Sequence, residues 1–224
     1  MMKRNFHDFV QAFSAAPFLI LLSLILLMLI LPAFLDHWVS TKILLDVFLT
    51  AILCALIYAI KSNRAQMIIG IILVLPLMLA TWASYFIEIS SLGLTTRIFT
   101  ALFFGFAAVN ILRLMLKNKD ITRETIFAAI VAYLLIAFMW AFLYMVLEKL
   151  APGSFSIPQD ALRSEIKHFQ YFSFVTITTL GYGDVTPLTD KASALAMLEA
   201  LVGQIYLVVL VAWLVGMYVS RKSK

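Results

Sequence analysis

Apolar residues in this chain run in long blocks and do not alternate with polar ones. Six windows, about Pro17–Leu35, Ile43–Ile60, Gln66–Ile87, Arg97–Leu116, Glu124–Leu147 and Lys191–Val219, are nearly continuous in Leu, Ile, Val, Phe, Ala and Met. A hydrocarbon core about 30 Å thick is crossed by roughly 20 helical residues, so each window predicts a transmembrane helix. The last window exceeds one span and is expected to tilt or protrude. Ahead of the first, Phe6, Phe9, Val10 and Phe13 recur at helical spacing beside Lys3, Arg4, His7 and Asp8. That pattern suits a short helix lying in the membrane interface. The apolar run Phe18–Leu31 leads into Pro-Ala-Phe-Leu-Asp and not into a small-residue cleavage site, so it reads as a retained anchor.

Composition agrees with the pattern. The chain is 63% hydrophobic and 13% charged, with a mean hydropathy of +1.01, whereas soluble domains are about 45–50% apolar and about 25% charged. This excludes a soluble globular protein and makes the bilayer the solvent. The single cysteine, Cys54, cannot form an internal disulfide and reads as a small buried hydrophobe. With the N-terminus cytoplasmic, the inside segments hold eleven Lys and Arg residues. The outside segments hold six: Lys42, Arg97, Lys149, Arg163, Lys167 and Lys191. The excess of positive charge and the parity of six spans both put the two termini in the cytoplasm.

The connection between the fifth and sixth windows breaks the pattern. It opens on Ala151-Pro-Gly-Ser154, continues as a moderately apolar helix over Ile166–Thr178, too short to span, and ends in TITTLGYGD, Thr176–Asp184. This is the outline of a re-entrant loop, which survives at membrane depth only when buried in protein or facing water. Glycine tolerates positive φ, so glycines at alternate positions in Thr179-Leu180-Gly181-Tyr182-Gly183 let successive carbonyls turn to one side. The Thr179 hydroxyl extends that column. Several chains around an axis would form an oxygen-lined tube able to replace a cation's hydration shell. The C-terminal end of the short helix aims partial negative charge at the same axis.

TITTLGYGD resembles the signature of potassium channels, a Thr-(Val/Leu/Ile)-Gly-Tyr-Gly segment following a pore helix. The resemblance covers pore helix, filter and inner helix, about residues 160–219. It implies that Thr179, Leu180, Gly181 and Tyr182 coordinate K+ through their carbonyls. Gly183 would complete the outer turn, and Thr178 and Asp184 would support the filter from behind. One loop per chain implies a homotetramer. Gly203 stands where many members carry a glycine thought to let the inner helix bend. Counting along the helix, Gln204, Leu207 or Val208, Val211 and Val215 would face the cavity and its cytoplasmic constriction, where an apolar ring closes a pore by dewetting. Tyr171 and Phe172 occupy places where the family often has tryptophans, and Val175 stands where some bacterial members carry a glutamate. Phe172 cannot donate a hydrogen bond toward Tyr182; with Val175 in place of that glutamate, Asp184 lacks its usual partner and Tyr171 is its expected donor.

The fold class read from this is an all-α membrane protein, six transmembrane helices plus a re-entrant pore helix and filter loop. Residues 1–16 form an interfacial segment, 17–120 a four-span accessory domain and 121–224 the pore domain. A voltage sensor needs several basic residues at every third position of its fourth span. Here only Arg97 and Arg113 flank that span, as interfacial anchors, around an apolar middle from Phe103 to Ala108. The layout is voltage-gated in outline, without steep voltage sensing. Glu199 is expected to support the filter, Asp46 to lie at the interface, and His37 and His168 at the outer surface. No nucleophile–base pair, metal-ligand cluster or phosphate loop is present in the sequence. The expectation is a channel subunit, not an enzyme, with no cofactor beyond K+ as permeant ion and with membrane lipid but no nucleic acid as partner. A nonselective or silent channel-like subunit and a potassium-uptake transporter component are the alternatives.

Overall fold

The computed structural model describes residues 16–35, 41–60, 64–86, 92–117, 122–156 and 165–222. The N-terminal interfacial segment and His37 lie outside them. The described residues form α1 (Pro17–Phe34), α2 (Thr41–Ile60), α3 (Arg64–Ala83), α4 (Leu92–Lys117), α5 (Arg123–Leu150), β1 (Phe155–Ser156), α6 (Glu165–Ile177), β2 (Thr186–Pro187) and α7 (Asp190–Lys222). Helix is the form that lets an apolar segment pair its whole backbone without water. Among the described residues five helices are long and apolar enough to cross a membrane: Lys42–Ala59, Arg64–Ala83, Gly93–Lys117, Arg123–Leu150 and Asp190–Met217. The apolar stretch of α1, Pro17–Pro32, is shorter. Pro17 opens α1, where a missing N–H costs nothing. The third helix ends at Ala83 in a turn through Phe86, short of the expected Ile87, which lies outside the described residues.

The hydrophobic core is organised around α5. It packs against α4 most extensively, then α6, α1 and α7. Thr122 caps it, its hydroxyl accepting from the Thr125 N–H at 3.2 Å. At the α4–α5 seam a Cβ on Gly105 would stand 2.9 Å from the Met139 sulfur, so the methionine side chain packs directly over the glycine. Phe104 lies between Phe138 and Phe142, with ring centroids at 5.5 and 5.8 Å. Phe103, Phe104, Ala107, Ala108 and Ile111 are buried. The middle of the fourth helix is therefore a packing surface against the fifth.

Two expectations are corrected at the periphery. Cys54 lies on an exposed face of α2 and is not buried, a position a small apolar thiol occupies readily against lipid. Asp46 is buried instead of interfacial, and it accepts from the Tyr85 hydroxyl at 2.7 Å. A buried carboxyl needs such a partner. The Lys42 ammonium sits 4.5 Å from the centre of the same tyrosine ring, an attraction between cation and ring face.

One face of the bundle is closed by backbone pairing around the loop. β1 and β2 pair antiparallel, Phe155 opposite Pro187 and Ser156 opposite Thr186. The Leu188 N–H adds a bond to the Ser154 carbonyl at 2.8 Å. Glu148 ends α5 by accepting from the N–H groups of Gly153 (2.8 Å) and Phe155 (3.2 Å). Gly153 makes this turn at φ +82°, a conformation costly for a side-chain-bearing residue. The end of the loop from α6 to α7 is thus tied to the segment that follows α5.

Candidate functional site

The backbone after α6 has an alternating conformation. Thr179, Gly181 and Gly183 adopt φ of +60°, +58° and +79°. Alternation between left-handed and ordinary backbone turns successive carbonyls to the same side, where an ordinary strand would alternate them. Two of the three positions are glycine, which adopts positive φ freely. The third is a β-branched threonine, for which this region is a genuine outlier. The N–H groups of the loop point back to the helix: Thr179 donates to the Thr176 carbonyl at 2.9 Å, and Leu180 and Gly181 to the Val175 carbonyl at 2.9 and 3.3 Å. Among the described residues no donor meets the carbonyls of Thr179–Gly183. The loop spends its donors on the helix end and keeps a row of acceptors unspent.

Side chains brace the loop from the helix side. The Thr178 hydroxyl returns to the Phe174 carbonyl at 2.6 Å. Tyr171 stacks on Tyr182 with ring planes 3° apart and centroids at 6.5 Å, and its hydroxyl reaches the Asp184 carboxylate. Desolvation, with the hydrogen bond to Asp184 and its charge behind it, holds this phenol above its ordinary value. Phe172 turns away from Tyr182 and packs with Tyr144 and Phe155, centroids at 5.0 and 5.5 Å. Leu180 and Tyr182 are exposed in the single chain.

On α7, the Gln204 amide donates to the Thr179 hydroxyl at 3.5 Å, which places that glutamine below the loop. Gln204, Leu207, Val208, Val211 and Val215 recur at steps of three and four and share its exposed face. Gly203 lies on the adjoining face, where a Cβ would stand 2.5 Å from the Ile177 carbonyl oxygen and 2.6 Å from its side chain. The glycine therefore lets α7 touch the end of α6. The same Ile177 carbonyl accepts from the Tyr133 hydroxyl at 3.0 Å, and Tyr206 donates to the Ala129 carbonyl at 2.6 Å. The Glu199 side chain is fully buried one turn before Gly203. One of its oxygens meets the Ser173 hydroxyl at 2.5 Å and the other the Tyr144 hydroxyl. It does not touch the loop.

Several residues of this site escaped the sequence. Arg97 is more than an anchor: its guanidinium meets both oxygens of Glu165, at 3.0 and 2.5 Å, and the Met145 carbonyl at 3.4 Å. The acid is in the first turn of α6, where the helix dipole favours negative charge. Tyr133, Tyr144 and Ser173 sit among apolar neighbours with no local motif. The available signal was three hydroxyls in segments that must bury every polar group, opposite one intramembrane acid.

A family model described as ion channel matches residues 121–220. No curated protein and no solved structure matches the chain. The matched segment runs from the start of α5 through α7, so it holds the whole loop and both helices that flank it. The chain is an all-α membrane protein, and this part of it is similar to ion-channel domains.

Proposed function

We propose that the chain is the pore-forming subunit of a homotetrameric, potassium-selective channel. It lies in the cell membrane with six spans and both termini cytoplasmic, and it conducts K+ passively through Thr179-Leu180-Gly181-Tyr182-Gly183. The observation that carries this reading is the alternation of positive φ at positions 179, 181 and 183, with the loop N–H groups anchored on Val175 and Thr176. An extended segment so arranged offers oxygens at successive peptides to a dehydrated cation. K+ would be held by the carbonyls of Thr179, Leu180, Gly181 and Tyr182, with Gly183 turning the chain outward. Asp184 and Tyr171 brace the outer end.

Burial supports assembly. Of the residues in the α5 span 61% are buried, against 6% in the α7 span. The helix that would line a pore leaves most of its surface uncovered within its own chain. Four copies would give α7 neighbours and enclose the loop. The valines at 211 and 215 would then form the inner constriction. The alternative in which the accessory helices sense voltage steeply finds little support, because the buried middle of α4 is apolar and Arg97 is paired with Glu165.

Purified protein in liposomes, assayed for K+ against Na+ flux and for block by Ba2+, tests the reading. Selective, Ba2+-sensitive K+ flux is expected. Equal permeability to K+ and Na+ sinks it, and a steeply sigmoidal conductance–voltage curve sinks its gating half.

A further inference from the structure

Three oxygen–oxygen contacts lie end to end behind the loop. The Tyr144 hydroxyl meets one Glu199 oxygen, the other Glu199 oxygen meets the Ser173 hydroxyl at 2.5 Å, and that hydroxyl meets the Ala137 carbonyl at 2.6 Å. Each contact at such a distance requires one proton between its oxygens. Tyr144 supplies one and Ser173 one, and the Ala137 carbonyl has none to give. An ionised Glu199 leaves three contacts with two protons, and two bare oxygens pressed together. A protonated Glu199 supplies the third, and every group is then satisfied. Tyr144 donates to Glu199, Glu199 to Ser173, and Ser173 to Ala137. The surroundings point the same way. Glu199 and Ser173 are both fully buried, Tyr144 lies in a cage of Phe155, Phe169 and Phe172, and among the described residues no cation bonds to the carboxyl. A lone carboxylate in such a place is far costlier than a neutral acid.

We infer that Glu199 is held as a neutral carboxylic acid and is the positioning residue that clamps the inner helix α7 to the short helix α6 and the outer helix α5 behind the filter. This rests on the reading of the loop as a potassium filter. The clamp has a defined register. Ser173 faces Glu199, and one turn further along both helices Ile177 faces Gly203. Between Ser173 and Ile177 lies Val175, whose carbonyl holds the Leu180 and Gly181 N–H groups. The acid thus reaches the filter through two helix positions and one carbonyl, without touching an ion.

The test is the series Glu199→Gln, Glu199→Ala, Ser173→Ala and Tyr144→Phe in purified, reconstituted protein. Glutamine keeps the shape and the neutral donor-and-acceptor pattern, so Glu199→Gln is expected to retain wild-type K+/Na+ selectivity and thermal stability. Withdrawing a partner leaves buried groups unpaired, so Ser173→Ala and Tyr144→Phe, and Glu199→Ala where it folds, are expected to lower the permeability ratio severalfold. Infrared difference spectra of wild type against Glu199→Gln are expected to show a protonated-carboxyl carbonyl band that the variant lacks. The band is read on the protein whether or not it conducts, so it is independent of the channel reading. Absence of the band overturns the neutral acid. Loss of selectivity in Glu199→Gln, or wild-type selectivity in both Ser173→Ala and Tyr144→Phe, overturns the clamp. Unselective flux in wild type with the band present would strike the filter reading and leave the neutral acid standing.

Discussion

Arg97 holds Glu165 with both arms of its guanidinium, at 3.0 and 2.5 Å, and so joins the N-terminal part of α4 to the first turn of α6. Sixty-eight positions separate the two residues in sequence. α4 is therefore connected to α6, the helix that precedes the loop, by a directed, two-point bond. Both side chains are partly exposed, at 20% and 38%. That limits its strength to the upper part of the surface range, with bidentate geometry as the favourable factor. A double-mutant cycle with Arg97→Ala and Glu165→Ala is expected to give a coupling of about 1 kcal/mol in thermal or denaturant unfolding. Additive single effects would mean that the pair contributes nothing.

Gly203→Ala tests the close approach of α7 to α6. The added methyl would meet the Ile177 carbonyl at 2.5 Å, a backbone atom that cannot rotate aside. The cost expected is about 1–3 kcal/mol, as for other insertions into a packed contact. Trimming Ile177 to Ala in the same chain removes the side-chain clash but not the carbonyl, so it is expected to leave most of the loss in place. Full rescue would show that the side chain alone sets the spacing.

Gly181→Ala and Thr179→Gly act on the same backbone in opposite directions. At φ +58° an L-alanine is expected to cost about 1–2 kcal/mol and to abolish selective K+ flux. Thr179→Gly relieves a threonine held at φ +60°. It is expected to raise unfolding stability by about 1 kcal/mol while weakening selectivity through loss of the hydroxyl. If both variants lose stability equally, the left-handed conformation at 179 is not strained.

Tyr171→Phe removes the hydroxyl that reaches Asp184 and leaves the ring that stacks on Tyr182. Selectivity is expected to persist, because the bonds that hold the Thr179–Gly181 backbone on Val175 and Thr176 are untouched. The outer end of the filter loses a brace, so currents in planar bilayers should decline faster under sustained conduction. Wild-type persistence would place the bracing in the ring stack alone.

The sequence was legible where chemistry is local. Apolar runs located the helices, and Glu165–Ile177 fell within one residue at each end of the expected short helix because a thirteen-residue apolar segment before TITTLGYGD has few other forms. Positive φ at 181 and 183 followed from glycine itself, whereas the same conformation at Thr179 had no signal of its own. Partners across the bundle were illegible for a physical reason. Arg97 with Glu165, Glu199 with Ser173 and Tyr144, and Gly203 with Ile177 depend on which faces of three helices meet. A helix that is apolar on every side carries little periodicity to say so. Asp46 illustrates the limit: neither its burial nor the tyrosine that answers it was readable.

The attachments of α7 are unevenly placed along its length. Its outer end is fixed by β2, its middle by Glu199 and Gly203, and Tyr206 makes the next bond, while Val211, Val215 and Val219 are exposed in the chain. Mechanically this is a cantilever, a rod gripped at one end. From Tyr206 to Val219 the rod extends about 20 Å, so a deflection of about 10° carries its tip about 3 Å. The same deflection leaves the gripped end in place. In the proposed channel such a deflection would widen or narrow the cytoplasmic mouth while the oxygen column above it holds its dimensions.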